Sequence, residues 1–251
     1  MTTSLVSFLT AVAEALERED GQRLGSLLSL TSGDGQALSL QQLLWKRKET
    51  TVRNFVPSPW ADIVLGHLAV RQTVGQADVD YASAAQAQNA LLQSFLQLFG
   101  SLGAWVLPLL YRLTAELRAL SSLADNSSRR SSGALEEACR TLNRAFSYCI
   151  TDRLSPPGTS RKWGTYAMAG WLFKTYFRLA STNLCSTVLR SIQAAELPDL
   201  SAFPKADQAT FHYYSGILAF LNEQYPRAEE ELVKVLSLCS SPGDRMKQQR
   251  L

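Results

Sequence analysis

The chain has 251 residues, which is enough for one large domain or two small ones with a sizeable core. Hydrophobic residues make up 46% of it and charged residues 19%, a composition that excludes a disordered chain. The net charge of +3 is too small to indicate nucleic-acid binding by itself.

The N-terminal segment predicts an amphipathic helix. One helical face collects Leu5, Phe8, Leu9, Val12 and Leu16. No basic stretch precedes this segment and Glu14 interrupts it, so we do not expect a signal peptide. The longest apolar runs, such as residues 104–111, are too short to span a bilayer, and we expect no membrane partner.

A second helix is predicted over Leu38–Trp45, after a loop rich in Gly and Ser. The stretch "KRKETTVRNFVPSP" that follows is interpreted as a polar, basic connector whose charges form a solvated surface. Residues 1–57 are therefore predicted to be an N-terminal helical cap and connector.

Residues 58–239 show helical periodicity throughout, and no segment alternates as a strand would. Asp78 or Asp80 is expected to cap a helix that runs to Phe99. The next helix, 104–121, carries Pro108 either in its first turn or at a kink. The stretch "ADNSSRRSSG" then predicts a flexible loop. Further helices are predicted from the stripe 135–146 and at about 161–180, 184–194, 205–222 and 226–239.

The stretch "FHYYSGILAFLNEQYPRAEEEL" has the rhythm of a tetratricopeptide-type helix hairpin. Gly216 lets a neighbouring backbone approach, and Tyr225 is expected to end the first helix and fill the corner. Ala228 and Leu232 share the inner face of the second helix. An ordinary antiparallel helix pair remains an alternative. A second helix–turn–helix, 171–192, lies about forty residues upstream, so we predict an all-α, right-handed α-solenoid of such hairpins.

We found no pattern that predicts catalysis. The four cysteines lie too far apart in sequence for a zinc motif, and neither a phosphate-binding loop nor a nucleophile elbow occurs. His67 and His212 are interpreted as histidines that are satisfied within the packing, and the glutamates 229–231 point in different directions around a helix. The sequence therefore predicts a protein that is not an enzyme and needs no cofactor or metal.

The most informative feature is a stretch from Arg153 to Ala195 that contains six basic residues and no acidic residue. Aromatic residues are interleaved, and Trp163, Tyr166, Gly170, Phe173 and Phe177 are predicted to form a core stripe. The alternative is that the charges are merely solvated. The functional hypothesis is a positive surface that binds an acidic partner. Its residues are Arg161, Lys162, Trp171, Lys174, Arg178 and Arg190.

The stretches "RKWGTYAMAGWLFKTYFRLASTNLCSTVLRSI" and "TFHYYSGILAFLNEQYPRAEEEL" resemble the PCI-domain proteins. So do "PSPWADIVLGHLAV", "QNALLQSFLQLFG" and "WVLPLLYRLTAELRAL", and the resemblance covers about residues 57–239. Within the family, the pattern is similar to the subgroup of the messenger-RNA transcription-and-export complex and the signalosome-associated twelfth subunit.

The resemblance implies a scaffold that couples transcription to messenger-RNA export. Its expected location is the nucleus, and an additional cytoplasmic location stays open. The implied partners are a larger PCI-containing subunit and a small acidic disordered subunit. In the full-length protein a winged-helix domain would add binding to RNA or DNA as possible partners. Here the stretch 240–251 is expected to be a polar, basic tail, and the winged helix is expected to be missing. The alternative function is a scaffold of a signalosome- or splicing-associated complex.

Overall fold

The computed structural model describes residues 4–31, 47–127, 133–153 and 155–239. These residues form α-helices and short 3₁₀ turns, and none of them lies in a β-strand. The prediction of an all-α fold built from packed helix pairs is therefore confirmed. The predicted helix at Leu38–Trp45 and the predicted tail at 240–251 lie outside the described residues.

The described chain divides into two compact units. Unit 1 contains the described residues up to Tyr148 together with Asp152–Arg161, and unit 2 contains Cys149–Thr151 and the described residues from Lys162 onward. The predicted divisions at 57/58 and 239/240 stay predictions, and so does the right-handed course of a continuous solenoid.

Unit 1 is a series of helices, most of which pack on a neighbour in the chain. The helices are α1 (Leu5–Glu17), α2 (Gly21–Leu27), α3 (Lys48–Phe55), α4 (Trp60–Val74), α5 (Tyr81–Phe99), α6 (Leu107–Ser127) and most of α7 (Ala134–Ile150). The predicted apolar face of α1 is largely buried, including Phe8, Leu9 and Val12. Helix α2 also packs across the sequence on α6.

The basic connector predicted before Pro57 is in fact helical where the structure describes it, as α3. Val52 and Val56 are completely buried and anchor the helix. Arg53 on its exposed side pairs with Glu49 one turn earlier at 3.3 Å and with Asp62 on the next helix at 2.9 Å. One apolar residue per turn is a weak signal among so many charges, so the sequence pattern missed this helix.

The α5–α6 pair agrees with the predicted caps but not with every predicted boundary. The Asp80 side chain accepts hydrogen bonds from the Ala82 and Ser83 backbone N–H groups, so Asp80 is the N-cap of α5. A 3₁₀ turn over Ala104–Val106 precedes α6, and Pro108 sits in the first α-helical turn. Helix α6 continues to Ser127, into the stretch predicted as a loop, because Ala124 is buried.

The packing of α2 on α6 requires two glycines one turn apart. A Cβ atom on Gly21 would lie 1.7 Å from the Trp105 carbonyl oxygen, and a Cβ on Gly25 would lie 3.2 Å from the Pro108 carbonyl oxygen. Both neighbours are backbone atoms, which cannot rotate away as a side chain does. Only glycine at position 21 permits this approach.

Unit 2 contains α8 (Thr165–Arg178), α9 (Asn183–Ala194), α10 (Lys205–Leu221) and α11 (Tyr225–Cys239). Aromatic rings form the contact between α8 and α10. Tyr166 lies 5.0 Å from Phe211, Phe173 lies 5.8 Å from Tyr214, and Phe177 lies 4.9 Å from Tyr214, between ring centroids. Most of the predicted aromatic stripe thus packs between helices, where offset and edge contacts add to the burial energy.

His67 on α4 differs from its prediction as a satisfied histidine. Its side chain is completely buried, and neither ring nitrogen has a hydrogen-bond partner among the described residues. Burial lowers its pKa to about 3, and the charge of Arg71 one turn away acts in the same direction. The ring is therefore neutral at physiological pH and packs as an apolar group.

We expect the substitution Gly21→Ala to destabilise unit 1 by about 1–3 kcal/mol, because the new methyl group forces α2 away from the Trp105 carbonyl. Gly158→Ala is the matched control, since nothing lies within 4 Å of a Cβ there. Urea unfolding followed by circular dichroism measures both. Equal midpoints for the two variants would show that the close approach of α2 does not constrain the fold.

Candidate partner-binding surface

The structure does not gather the six predicted partner-binding residues into one surface. Arg161 is only 8% exposed and belongs to unit 1. Its side chain donates hydrogen bonds to the Phe99 and Gly100 carbonyls at the C-terminus of α5 and to Asp152 at 3.2 Å. The prediction that Arg161 faces a partner is therefore wrong, because its guanidinium group is already engaged by these internal hydrogen bonds and by the ion pair with Asp152.

Asp152 is the other half of this buried arrangement. Its carboxylate accepts hydrogen bonds from the Arg161 backbone N–H and from the Ser160 hydroxyl, both at 2.9 Å. Burial alone would raise the pKa of Asp152, but the hydrogen bonds from Arg161 and its neighbours outweigh burial and hold this pKa far below its usual range. The pair is therefore ionised, and it fastens the segment after α7 to the end of α5.

Lys162, the next residue, makes a local contact in unit 2. Its ammonium group donates to the Glu196 backbone carbonyl at 2.7 Å. This contact joins the 3₁₀ turn Arg161–Gly164 to the loop that follows α9. Lys162 is half-buried and lies off the helices that carry the other predicted residues.

Trp171, Lys174 and Arg178 lie on one side of α8, and we call these three residues the basic edge. The Lys174 ammonium lies 4.6 Å from the centre of the Trp171 ring, a cation–π contact. Arg178 follows one turn later and is exposed. The sequence offered no acidic neighbour here, but the fold supplies Asp207 on α10. Burial raises the pKa of Asp207, and the Lys174 charge opposes that rise.

Arg190 lies on α9, separate from the basic edge. It is exposed and lines a groove between α9, α10 and the start of α11. Arg227, in the first turn of α11, lines the same groove. Sequence reasoning missed Arg227 because it lies in an acidic stretch, "RAEEEL", and only the hairpin turn brings it toward α9.

The predicted hairpin residues lie between α10 and α11. A Cβ atom on Gly216 would approach Leu232 Cγ to 2.9 Å, and Ala228 is buried at the same contact. Tyr225, however, begins α11 and is 57% exposed, with its ring 5.6 Å from that of Phe220. It does not fill the corner, because backbone hydrogen bonds such as Gln224 N–H to the Ala219 carbonyl close the turn.

Several large apolar side chains on α10 and α11 face solvent in the described structure. Each is between 44% and 59% exposed, and those seven or eight residues apart share a helix face. We call this set the apolar end surface: Tyr213, Phe220, Leu221, Tyr225, Val233 and Leu236. Exposed apolar groups in such number make this set a candidate protein-contact surface.

Neither a metal centre nor a membrane segment was found in the ranges that the structure describes. No three or more His, Cys, Asp or Glu side chains there are placed to hold a metal ion. No helix within those ranges is long and apolar enough to cross a membrane.

Comparison with known proteins gives relatives along most of the chain, although no protein-family model matches it. The CSN12 homolog of Mycosarcoma maydis is 37% identical, over 92% of this chain and 60% of that protein. The CSN12 homolog of Schizosaccharomyces pombe is 40% identical, over 78% of this chain and 49% of that protein. PCI domain-containing protein 2 of Danio rerio is 26% identical, over 97% of this chain and 61% of that protein.

The helical fold and these relatives together define the class. The chain belongs to the PCI-domain proteins. Within that family it is a member of the CSN12-like subgroup. The chain spans about half to three-fifths of the length of these curated relatives.

We expect Arg161→Ala to cost about 3–5 kcal/mol of folding free energy, because it leaves the Asp152 carboxylate buried without its ion pair. Lys162→Ala is the control, since it removes a neighbouring cation with one hydrogen bond and should cost about 1 kcal/mol. Chemical denaturation monitored by circular dichroism compares the two. A wild-type midpoint for Arg161→Ala would contradict the role of the buried pair.

Proposed function

We propose that this chain is the helical part of a non-enzymatic scaffold subunit in a nuclear complex that couples transcription to messenger-RNA export. In this role it binds a larger PCI-containing subunit and a small acidic, disordered subunit. Membership in the PCI family supports the scaffold function. The nuclear location and the identity of both partners belong to the proposal.

The observation that carries the proposal is the apolar end surface. Six large apolar side chains of the α10–α11 pair stay at least two-fifths exposed among the described residues. Burying them against a second protein would gain about 25 cal/mol for each Å² of apolar area removed from water. We assign this surface to the larger PCI-containing subunit.

The cationic residues of unit 2 support the second partner. On the basic edge, Lys174 and Arg178 lie one helical turn apart, beside a half-exposed indole ring. A disordered acidic chain can contact several such positions at once, since it adapts its path on binding. Long-range attraction between opposite charges would also speed its association.

A second candidate function is a scaffold of a signalosome- or splicing-associated complex. The observation that favours it is the name CSN12 homolog, which the Mycosarcoma maydis and Schizosaccharomyces pombe relatives carry. The two candidates share one fold and one kind of partner surface, so they differ only in the complex that is assembled. Contact with RNA or DNA in the full-length protein fits either candidate.

Affinity purification of the tagged full-length protein from its native cells, with mass spectrometry, separates the two. We expect nuclear-pore and messenger-RNA export subunits together with a larger PCI protein, because these are the partners of the first candidate. Recovery of signalosome subunits without export factors would overturn that candidate and support the second. A parallel purification of a variant with Phe220→Glu and Val233→Glu tests whether the apolar end surface mediates the capture.

The double variant Lys174→Glu, Arg178→Glu tests the basic edge. We expect its affinity for the small acidic subunit to fall by about tenfold or more, because the change replaces attraction with repulsion at a partly desolvated contact. Binding of the unaltered chain should also weaken as salt is added. Isothermal titration calorimetry measures the affinities, after circular dichroism has shown retained helicity. Wild-type affinity in the double variant would mean that these cations are only solvated.

A further inference from the structure

A groove of about 180 Å³ opens in unit 2 between α9, α10 and the first turn of α11. Leu189 and Leu218 form part of its apolar wall. Its polar lining comes from three different segments of the chain, brought together only by the helix packing. These residues are Ser186, Arg190, Gln193, Ser215, Asn222, Gln224 and Arg227.

The lining of this groove carries two positive charges and no negative charge. Within the part of the chain that the structure describes, the Arg190 guanidinium donates a 3.4 Å hydrogen bond to the Thr187 hydroxyl, and the Arg227 guanidinium donates a 3.4 Å hydrogen bond to the Gln224 side chain. Among the described residues no carboxylate lies within 4 Å of either guanidinium. On α11, Glu230 is engaged by Lys234 at 2.8 Å, and the charge of Arg227 also helps to lower the pKa of Glu230.

Ser215 provides an independent sign of a ligand. It lies on α10, is only 4% exposed and lines the groove, and its hydroxyl has no hydrogen-bond partner among the described residues. A buried hydroxyl without a partner costs about 1–3 kcal/mol. Helical serines commonly avoid this cost by bonding to a carbonyl one turn back, as Ser191 does on α9.

The start of α11 adds further positive potential at this place. This helix has fifteen residues, so the partial charge at its N-terminus is well developed. Pro226 has no N–H group and the Ala228 N–H bonds to the Gln224 carbonyl, so in the first turn the Tyr225 and Arg227 N–H groups are the ones without a partner inside the helix. Guanidinium groups, a hydroxyl and a helix N-terminus all complement an anionic oxygen, and the side-chain amides of the lining can bond to it as donors.

We propose that this groove binds the carboxylate of an acidic peptide segment, with Arg190 and Arg227 pairing with the carboxylate and Ser215 donating to it. The inference rests on the proposed function and gives the acidic partner a defined site, apart from the basic edge. A peptide fits better than a nucleic acid, because a phosphate backbone requires a longer track of cations than two arginines provide. The leucines of the wall suit apolar residues that flank an Asp or Glu.

The test uses the whole chain and a fluorescein-labelled peptide of Asp, Glu, Leu and Trp, with fluorescence anisotropy as the readout. We expect Arg190→Glu with Arg227→Glu to weaken binding by about tenfold or more, and Ser215→Ala by about fivefold. The control is Arg140→Glu with Arg144→Glu, which makes the same change in net charge on exposed positions of α7. A peptide with Asn and Gln in place of Asp and Glu should not bind.

The outcomes separate the groove from the proposed function. If the acidic peptide binds the groove variant as tightly as the control variant, the groove is not its site, while the acidic partner itself stands. If neither the labelled peptide nor the small acidic subunit binds the unaltered chain, the acidic partner of the proposed function fails as well. If inorganic phosphate or a phosphopeptide binds in an arginine-dependent way and the acidic peptide does not, the ligand is a phosphate and the carboxylate assignment is overturned.

Discussion

A pair of helices can bury only one face of each helix, so every pair in this fold depends on another element to cover the remaining apolar side chains. Close covering requires small residues at the contact. Gly21 admits the Trp105 carbonyl to a distance that no side chain would allow, and Gly216 admits Leu232 in the last described hairpin. Where no covering element is described, as at Phe220 and Leu236, the same type of helix presents apolar surface to solvent.

The arginines show how strongly the surroundings decide the role of one residue type. Arg161 is buried, shares its charge with Asp152 and holds the end of α5. Arg190 and Arg227 are exposed at a groove that lacks an acidic lining. A buried ion pair is costly to break and therefore structural, whereas an exposed guanidinium keeps its charge available for a partner.

These features suit the proposed role as a scaffold. Unit 2 combines an apolar surface, which gains energy by leaving water, with cations that attract an oppositely charged chain. Burial of the apolar surface supplies binding free energy that depends little on orientation, while the charges supply selectivity and faster association. The proposed function, in which one scaffold holds an apolar partner surface and an acidic chain, uses both kinds of surface.

The sequence by itself determined the class of fold, because the helical spacing of apolar residues, the Asp80 cap and the Gly216–Leu232 rhythm are local properties of the chain. It also identified the family, since the resemblance lies in stretches of sequence and the relatives confirm it. The local pattern did not predict helix α3, because its few buried valines lie among many charged residues. It also mispredicted Tyr225 as filling the hairpin corner, because backbone hydrogen bonds close that turn.

Only the tertiary structure decided which charges are available. Arg161 and Lys174 look alike in the sequence, but one meets Asp152 and two carbonyls inside unit 1 and the other lies over Trp171 near Asp207. Arg190, Ser215 and Arg227 line one groove, although about forty residues separate Arg190 from Arg227 in the sequence. Periodicity reports which face of a helix is apolar, but the energy of a charge depends on neighbours that are distant in the chain, and these are set by packing alone.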